Sequence, residues 1–344
     1  ATPTALMVGT GLGAENGILI RDGAAIQTLE AADLIVLDKT GTVTSGQPTV
    51  TDVVPDSEAS VEEVLSVAAS VEHGSEHPLG QAIVRAASER GLELAPVTGF
   101  QAVTGLGVRG TVGGHAVIVG SDRWIRELGM DPRSLAEAAA ALEARGRTAM
   151  LVARDDRVIG VLAVADPIKE DSRQAIADLS ALGLRTVMLT GDNERTALAV
   201  AEDVGIEEVR ASLLPAGKVE AIRELQDAGL VTAMVGDGIN DAPSLKQADV
   251  GIAIGTGTDI AIEAADMTLV QGSLTAVVRA VLLSRATFRK IRQNLFWAYF
   301  YNTIAIPIAI LGLLHPILAE AAMALSSITV VSNANRLRSA RIDP

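Results

Sequence analysis

The chain has 344 residues and a formal charge of −14, from 28 Lys and Arg against 42 Asp and Glu. Hydrophobic residues make up 49% and aromatics 2%, which excludes wholesale disorder and an aromatic base-stacking platform, and the acidic balance disfavours a nucleic-acid partner. Cysteine is absent, so disulfides, thiolate zinc sites and cysteine nucleophiles are excluded within this stretch.

The first residues, Ala1-Thr2-Pro3-Thr4-Ala5-Leu6, include no Met and no basic leader. They run into Met7-Val8-Gly9-Thr10-Gly11-Leu12-Gly13, superficially a dinucleotide fingerprint, but no strand precedes it and the spacing differs. Residues 1–23 are therefore expected to be the close-packed cytoplasmic end of a membrane helix, entered partway, plus a linker. Leu34-Ile35-Val36-Leu37 is a buried-strand run. Residues 47–165 then change character, with strand-like stretches at Thr98–Val103, Val108–Val119, Ala149–Ala153 and Val158–Ala163 and helical runs at Val61–Ser70 and Ser134–Arg145. They predict a separate α+β domain inserted between the first and second strands of a parallel sheet. Alternation resumes with a helix at Ser172–Leu182, a strand at Thr186–Leu189, a helix at Lys218–Ala228 and a strand at Thr232–Val235. Strands alternating with helices predict an α/β, doubly wound parallel sheet over residues 24–46 and 166–285, with functional loops at the carboxyl ends of its strands.

The last sixty residues differ. Leu295–Leu314 carries no charge over 20 residues, the length that crosses about 30 Å of hydrocarbon. Ile317–Asn333 follows a turn at His315-Pro316, is shorter, and carries Glu320. Arg285, Arg289, Lys290 and Arg292 precede the pair, Arg336, Arg338 and Arg341 follow it, and the turn has no Lys or Arg. The positive-inside rule predicts a transmembrane hairpin over 286–335, with a cytoplasmic tail at 336–344. A buried hairpin of a soluble protein is the alternative. Glu320 is either functional or simply reaches headgroups and water.

Four loops carry chemistry. Asp38-Lys39-Thr40-Gly41-Thr42-Val43-Thr44 follows the first strand, Thr190-Gly191-Asp192-Asn193 the second, and Gly236-Asp237-Gly238-Ile239-Asn240-Asp241 the last; Lys218 opens the intervening helix. Alone, each is most often a cap or a turn. Together they suit phosphoryl transfer to an enzyme carboxylate. Such a carboxylate attacks phosphorus only if charge repulsion is offset. Mg²⁺ supplies that offset on hard oxygen ligands: Asp38, Asp237 and a backbone carbonyl near Thr40. Lys218 and the Thr190 hydroxyl suit the equatorial phosphate oxygens.

These strings resemble the signatures of P-type ATPases, within the haloacid-dehalogenase-like superfamily, over essentially the whole chain. The resemblance implies that Asp38 becomes an aspartyl-phosphate, with Lys39, Thr40, Thr190, Gly191, Asp192 and Lys218 beside it. It implies that Asp237 binds Mg²⁺, with Asn240 and Asp241 supporting that site. In the inserted domain, Ser75-Glu76-His77-Pro78-Leu79 reads from spacing as a helix-start Pro with a capping His. By resemblance His77-Pro78 is instead the motif of heavy-metal-transporting members, and Glu72, His77, Gly105 and Gly107 match their ATP-binding residues. Where members have Asn in a Gly-Asn-Arg-like string, this chain has Gly120-Ser121-Asp122.

Tyr301-Asn302, separated from Asn294 by six residues and with Pro307 beyond, and Met323 ahead of Ser326-Ser327, are polar groups in apolar runs. They serve either helix packing or an ion path, and a thioether suits Cu(I). The patterns resemble the Cu(I)/Ag(I)-exporting subclass, which makes Tyr301, Asn302, Met323 and Ser327 the implied metal path. Pro3 resembles the Pro that follows a Cys-Pro-Cys pair in members, which places that pair upstream. The resemblance further implies ATP and Mg²⁺ as cofactors, a copper chaperone as metal donor, an N-terminal half with an actuator domain, and a plasma or inner membrane location with cytoplasmic catalytic domains. The alternatives are a soluble phosphatase of the superfamily, a non-catalytic regulatory fragment, or another transported ion. Thr40, two residues after Asp38, occupies the place where a phosphatase usually has its acid.

Overall fold

The computed structural model describes residues 2–132, 134–237, 241–255, 263–311 and 316–343. The elements begin with α1 (Thr2–Glu15), β1 (Ile18–Ile20), α2 (Gly23–Glu30) and β2 (Leu34–Asp38). Next come β3 (Thr49–Pro55), α3 (Val61–Glu72), α4 (Pro78–Glu89), β4 (Val97–Val103), β5 (Gly107–Val112), β6 (His115–Gly120), α5 (Asp122–Glu127), α6 (Ser134–Glu143), β7 (Thr148–Arg154) and β8 (Arg157–Ala165). Then follow α7 (Ser172–Ala181), β9 (Arg185–Leu189), α8 (Glu194–Val204), β10 (Glu208–Arg210), α9 (Pro215–Asp227), β11 (Thr232–Gly236), α10 (Ala242–Gln247), β12 (Val250–Ile254) and β13 (Met267–Leu269). Two long helices close the chain, α11 (Thr275–Ile310) and α12 (Pro316–Asn335).

The chain forms two compact units. One comprises Ala1–Asp38, Glu170–Leu189 and Leu214–Pro344; the other comprises Lys39–Lys169 and Thr190–Leu213.

In the first unit the strands lie in the order β1, β13, β12, β11, β2, β9. All neighbours are parallel except β1, which runs antiparallel to β13. Every residue of β2, β11 and β12 is buried. Continuous apolar runs of this kind belong to strands covered on both faces, as the alternation of strand and helix implies. In the register Leu37 lies opposite Met188 and Val235, so β2, β9 and β11 end together and Asp38 sits at their common carboxyl edge. Gly9 lets α1 pack closely on α11, since a Cβ there would stand 2.6 Å from Thr287 Oγ1.

The second unit is built on an antiparallel sheet in the order β3, β8, β7, β6, β5, β4. Its strands alternate between two cores, as a period of two demands. Val152, Leu162 and Val164 pack with Leu65, Ala68 and Ile83 of α3 and α4, while Leu151, Val161 and Ala163 pack with Ile125, Leu135 and Leu142. The expected single stretch Val108–Val119 is two strands, β5 and β6. Gly113 (φ +59°) and Gly114 (φ +86°) make the turn between them, a left-handed pair that two-residue hairpins require.

The expected transmembrane hairpin finds no support among the described residues. Among the described residues no helix is long and apolar enough to cross a membrane. Of the predicted run, the part from Leu295 to the helix end at Ile310 is about 24 Å long at 1.5 Å per residue. The end of the predicted run, residues 312–314, and the predicted turn residue His315 lie outside the described residues. In α12 the apolar residues are diluted by Glu320, Ser326, Ser327, Ser332 and Asn333.

Candidate active site

In the first unit three parallel strands and one helix bring charge to a buried point. Asp38 ends β2 and is 4% exposed. Lys218 stands in the first turns of α9, which starts with Pro215 at a position where no backbone N–H is needed. Its Nζ donates to Asp38 Oδ1 at 2.5 Å and to Asp241 Oδ1 at 2.7 Å. Asp241 lies just beyond β11 and is 1% exposed. Gly236 makes room for it, since a Cβ there would stand 2.9 Å from Asp241 Oδ2.

One ammonium thus serves two buried carboxylates, with Asp237 adding a third negative charge. Burial, then the charge of Asp241, raise the Asp38 pKa to about 7 even though Lys218 pulls it down. Burial alone lowers the Lys218 pKa, but the charges of Asp38 and Asp241 overcome this and hold it well above the ordinary lysine value. The surplus is anionic, and the donors are hard oxygens. Among the described residues no group of three or more His, Cys, Asp or Glu is placed to hold a metal by itself. The hard oxygens of Asp38 and Asp241 suit Mg²⁺, which takes one or two carboxylates and completes its shell with water and substrate phosphate. Asn240 lies outside the described residues.

In the second unit the loop after Asp38 is held by several partners. Thr40 is extended (φ −77°, ψ 127°), and Gly41 turns at φ +76°. Lys169 Nζ donates to Gly41 O at 2.6 Å. Lys39, 6% exposed, is ion-paired with Asp192. The Thr44 hydroxyl donates to Lys39 O at 2.9 Å and also to Asp166, which accepts from Ser45 Oγ and Gln47 N at 3.1 Å. Thr190 is 2% exposed; its Oγ1 accepts from Asp192 N at 3.1 Å, and its backbone pairs with Arg210 and Leu213. A Cβ at Gly191 would meet Leu213 O at 3.3 Å. Asp166 and Lys169 were not among the residues that the sequence singled out. The signal was available in Asp166-Pro167, a turn-forming pair between β8 and α7.

The residues expected to bind nucleotide are also in this unit. Glu72 ends α3, is 5% exposed, and its Oε2 has no hydrogen-bond partner. Burial raises its pKa to about 7, and Ser75 offsets only part of this. His77 is the N-cap of α4: Nδ1 accepts from Leu79 N at 3.3 Å, and Pro78 takes the first helical position. That is the helix-start reading of the spacing, and Nε2 takes no part in the cap. Gly105 turns at φ +74° between β4 and β5. Gly107 has φ +146°, and a Cβ there would stand 2.1 Å from Val119 O. Ser121 N donates to Leu106 O at 2.9 Å, and its hydroxyl caps α5 by accepting from Trp124 N.

The residues expected on the metal path are not brought to one buried point. Met323 is 73% exposed, Ser327 is exposed, and Asn302 donates to Ala298 O within its own helix. Tyr301 lies against Trp297 and Phe300.

Residues 32–249 match the model of the haloacid dehalogenase-like hydrolases. The chain belongs to this family. It is 55% identical over 339 residues to the probable copper-exporting P-type ATPase V of Mycobacterium tuberculosis, covering 98% of this chain and 44% of that protein. It is 53% identical over 346 residues to the copper-transporting ATPase 1 of Rhizobium meliloti, covering 98% of this chain and 42% of that protein. Among solved structures it resembles a zinc-transporting PIB-type ATPase in the E2.Pi state, at 40% identity and a TM-score of 0.79, covering 98% of this chain and 55% of the other. The chain spans less than half the length of the curated relatives it matches. Over nearly its whole length the chain resembles these P-type ATPases.

Proposed function

We propose that this chain is the catalytic portion of an ATP-driven Cu(I) exporter that works through an aspartyl-phosphate. The observation that carries this is the buried Lys218 ammonium shared by Asp38 and Asp241. In the proposed step an Asp38 carboxylate oxygen attacks the γ-phosphorus of ATP. The new bond is Oδ–P, and the P–O bond to ADP breaks, with both electrons leaving on ADP. Lys218 orients Asp38 and holds positive charge beside the entering phosphoryl oxygens. Asp38 and Asp237, with Asp241 and Asn240 supporting them and the Thr40 carbonyl as a further ligand, would hold Mg²⁺. When bound, that ion neutralises charge between carboxylate and phosphate. Lys39, Asp192, Gly191 and Thr190 shape the phosphate site, and Glu72, His77, Gly105 and Gly107 receive the nucleotide.

Cu(I) rather than Zn²⁺ is favoured by identity, 55% to a copper exporter against 40% to the zinc-transporting structure. The Met323 thioether with Tyr301, Asn302 and Ser327 is the proposed path. In the whole protein we place that path in a membrane, with the catalytic units on the cytoplasmic side and a copper chaperone delivering metal. Further ligands and a dephosphorylating domain would come from the rest of the protein.

The test is acid-stable labelling by γ-labelled ATP with Mg²⁺, on this chain and on the full-length protein with Cu(I). Label lost in Asp38→Asn and on hydroxylamine treatment is the expected result. No label on the full-length protein overturns the reading.

A further inference from the structure

Outside the Asp38 cluster, the first unit has a cavity of about 680 Å³ between α2 and α11, lined by Glu30, Arg285, Arg289, Arg292 and Gln293. Three guanidinium groups face one carboxylate in a chain whose formal charge is −14. Arg285 Nη1 is committed to Leu182 O at 2.9 Å. Arg289 and Arg292 are exposed and have no ion pair among the described residues. Arginine forks match phosphate oxygens in pairs.

The same helix face changes chemistry within one turn. The spacing from Arg285 through Arg289, Arg292 and Phe296 to Phe300 is four, three, four and four residues, a single stripe along α11. Phe296 is 61% exposed and Phe300 43% exposed, and the two rings stack at 6.0 Å. From Arg289 to Phe300 the stripe is about 16 Å long. Cations followed by uncovered aromatic rings complement an amphiphile with an anionic head and an apolar tail, not a free anion.

We propose that this cavity binds the phosphate of an anionic phospholipid, with the acyl chain lying along Phe296 and Phe300. The assignment is independent of the phosphoryl-transfer reading and requires neither helix to cross a membrane.

The full chain in non-ionic detergent is titrated with phosphatidylglycerol and with phosphatidylcholine of the same acyl chains, and bound lipid is read by native mass spectrometry. Wild type is expected to prefer phosphatidylglycerol at least tenfold, at roughly fivefold per arginine. Arg289→Gln/Arg292→Gln should erase that preference with unchanged circular dichroism. Glu30→Gln should strengthen phosphatidylglycerol binding about threefold, and it decides the matter if the double variant does not fold. The charge-matched Arg336→Gln/Arg338→Gln should keep the preference. Equal binding of both lipids overturns the proposal, as does equal loss in the charge-matched variant. Displacement of lipid by millimolar inorganic phosphate overturns it too, because the cavity would then be a free-anion site.

Discussion

Asp38 and Glu72 are both buried acids whose pKa rises to about 7, yet for different reasons. Asp38 has a cation at 2.5 Å and is raised because burial and a second carboxylate outweigh it. Glu72 has no cation, and its Oε2 has no donor. The first is a crowded anionic site held together by one lysine. The second is a buried acid with one carboxyl oxygen unpartnered. A buried acceptor without a partner costs stability and persists where a ligand supplies the donor. The contrast separates an acid raised among other charges from one raised by burial alone.

The sharpest way to break this contrast is to remove the shared lysine. Lys218→Met leaves two buried carboxylates unpaired and is expected to cost about 3–5 kcal/mol in denaturant unfolding at pH 8. The loss should shrink toward pH 5 as Asp38 takes up a proton. Unfolding that is unchanged would mean that the lysine does not hold the cluster.

Glu72→Gln should act in the opposite direction. The folded state holds the Glu72 proton up to about pH 7, while the unfolded chain releases it near 4.5. Stability from this group is therefore full below pH 4.5, falls between 4.5 and 7, and is lost above. Glu72→Gln should accordingly stabilise by about 2–3 kcal/mol at pH 8 and by nothing near pH 4, read as a difference in melting between the two pH values. A uniform effect across pH would show that packing, not charge, sets the difference.

Smaller effects sharpen the same region. A Cβ at Gly80 would stand 2.3 Å from Glu72 Oε2 and 2.9 Å from Ser75 Oγ. Gly80→Ala should cost about 1–2 kcal/mol although alanine is the better helix former, and most of that cost should vanish in a Glu72→Ala background. His77→Ala removes the α4 cap and should cost about 1 kcal/mol by thermal melting, the least of the series.

Much of the architecture was legible because burial writes itself into strands. Leu34–Leu37, Thr186–Leu189 and Thr232–Val235 are unbroken apolar runs, and each is a strand of the parallel sheet. Asp38 was legible as a candidate because it ends such a strand, and Lys218 because it stands in the first turns of a helix. The Lys218–Asp241 contact was not, since it closes over 23 residues and depends on Gly236 leaving space. The β5–β6 turn was missed because strand-forming residues lie on both sides of the glycines, Val108–Val112 before and Val117–Val119 after, and the run looks continuous. The C-terminal pair was legible as two helices, but an uncharged run in sequence does not say where its helix ends.

The partners of β2 arrive late. It pairs only with β9 and β11, and β9 begins at Arg185. On a ribosome adding about 5–20 residues per second, Leu34–Leu37 waits roughly 7–30 s for a neighbour, while β3 to β8 emerge and complete their own sheet. The strand that presents Asp38 is therefore open to mispairing during synthesis, and the cellular yield of this protein should depend on whatever shields those four residues in the interval.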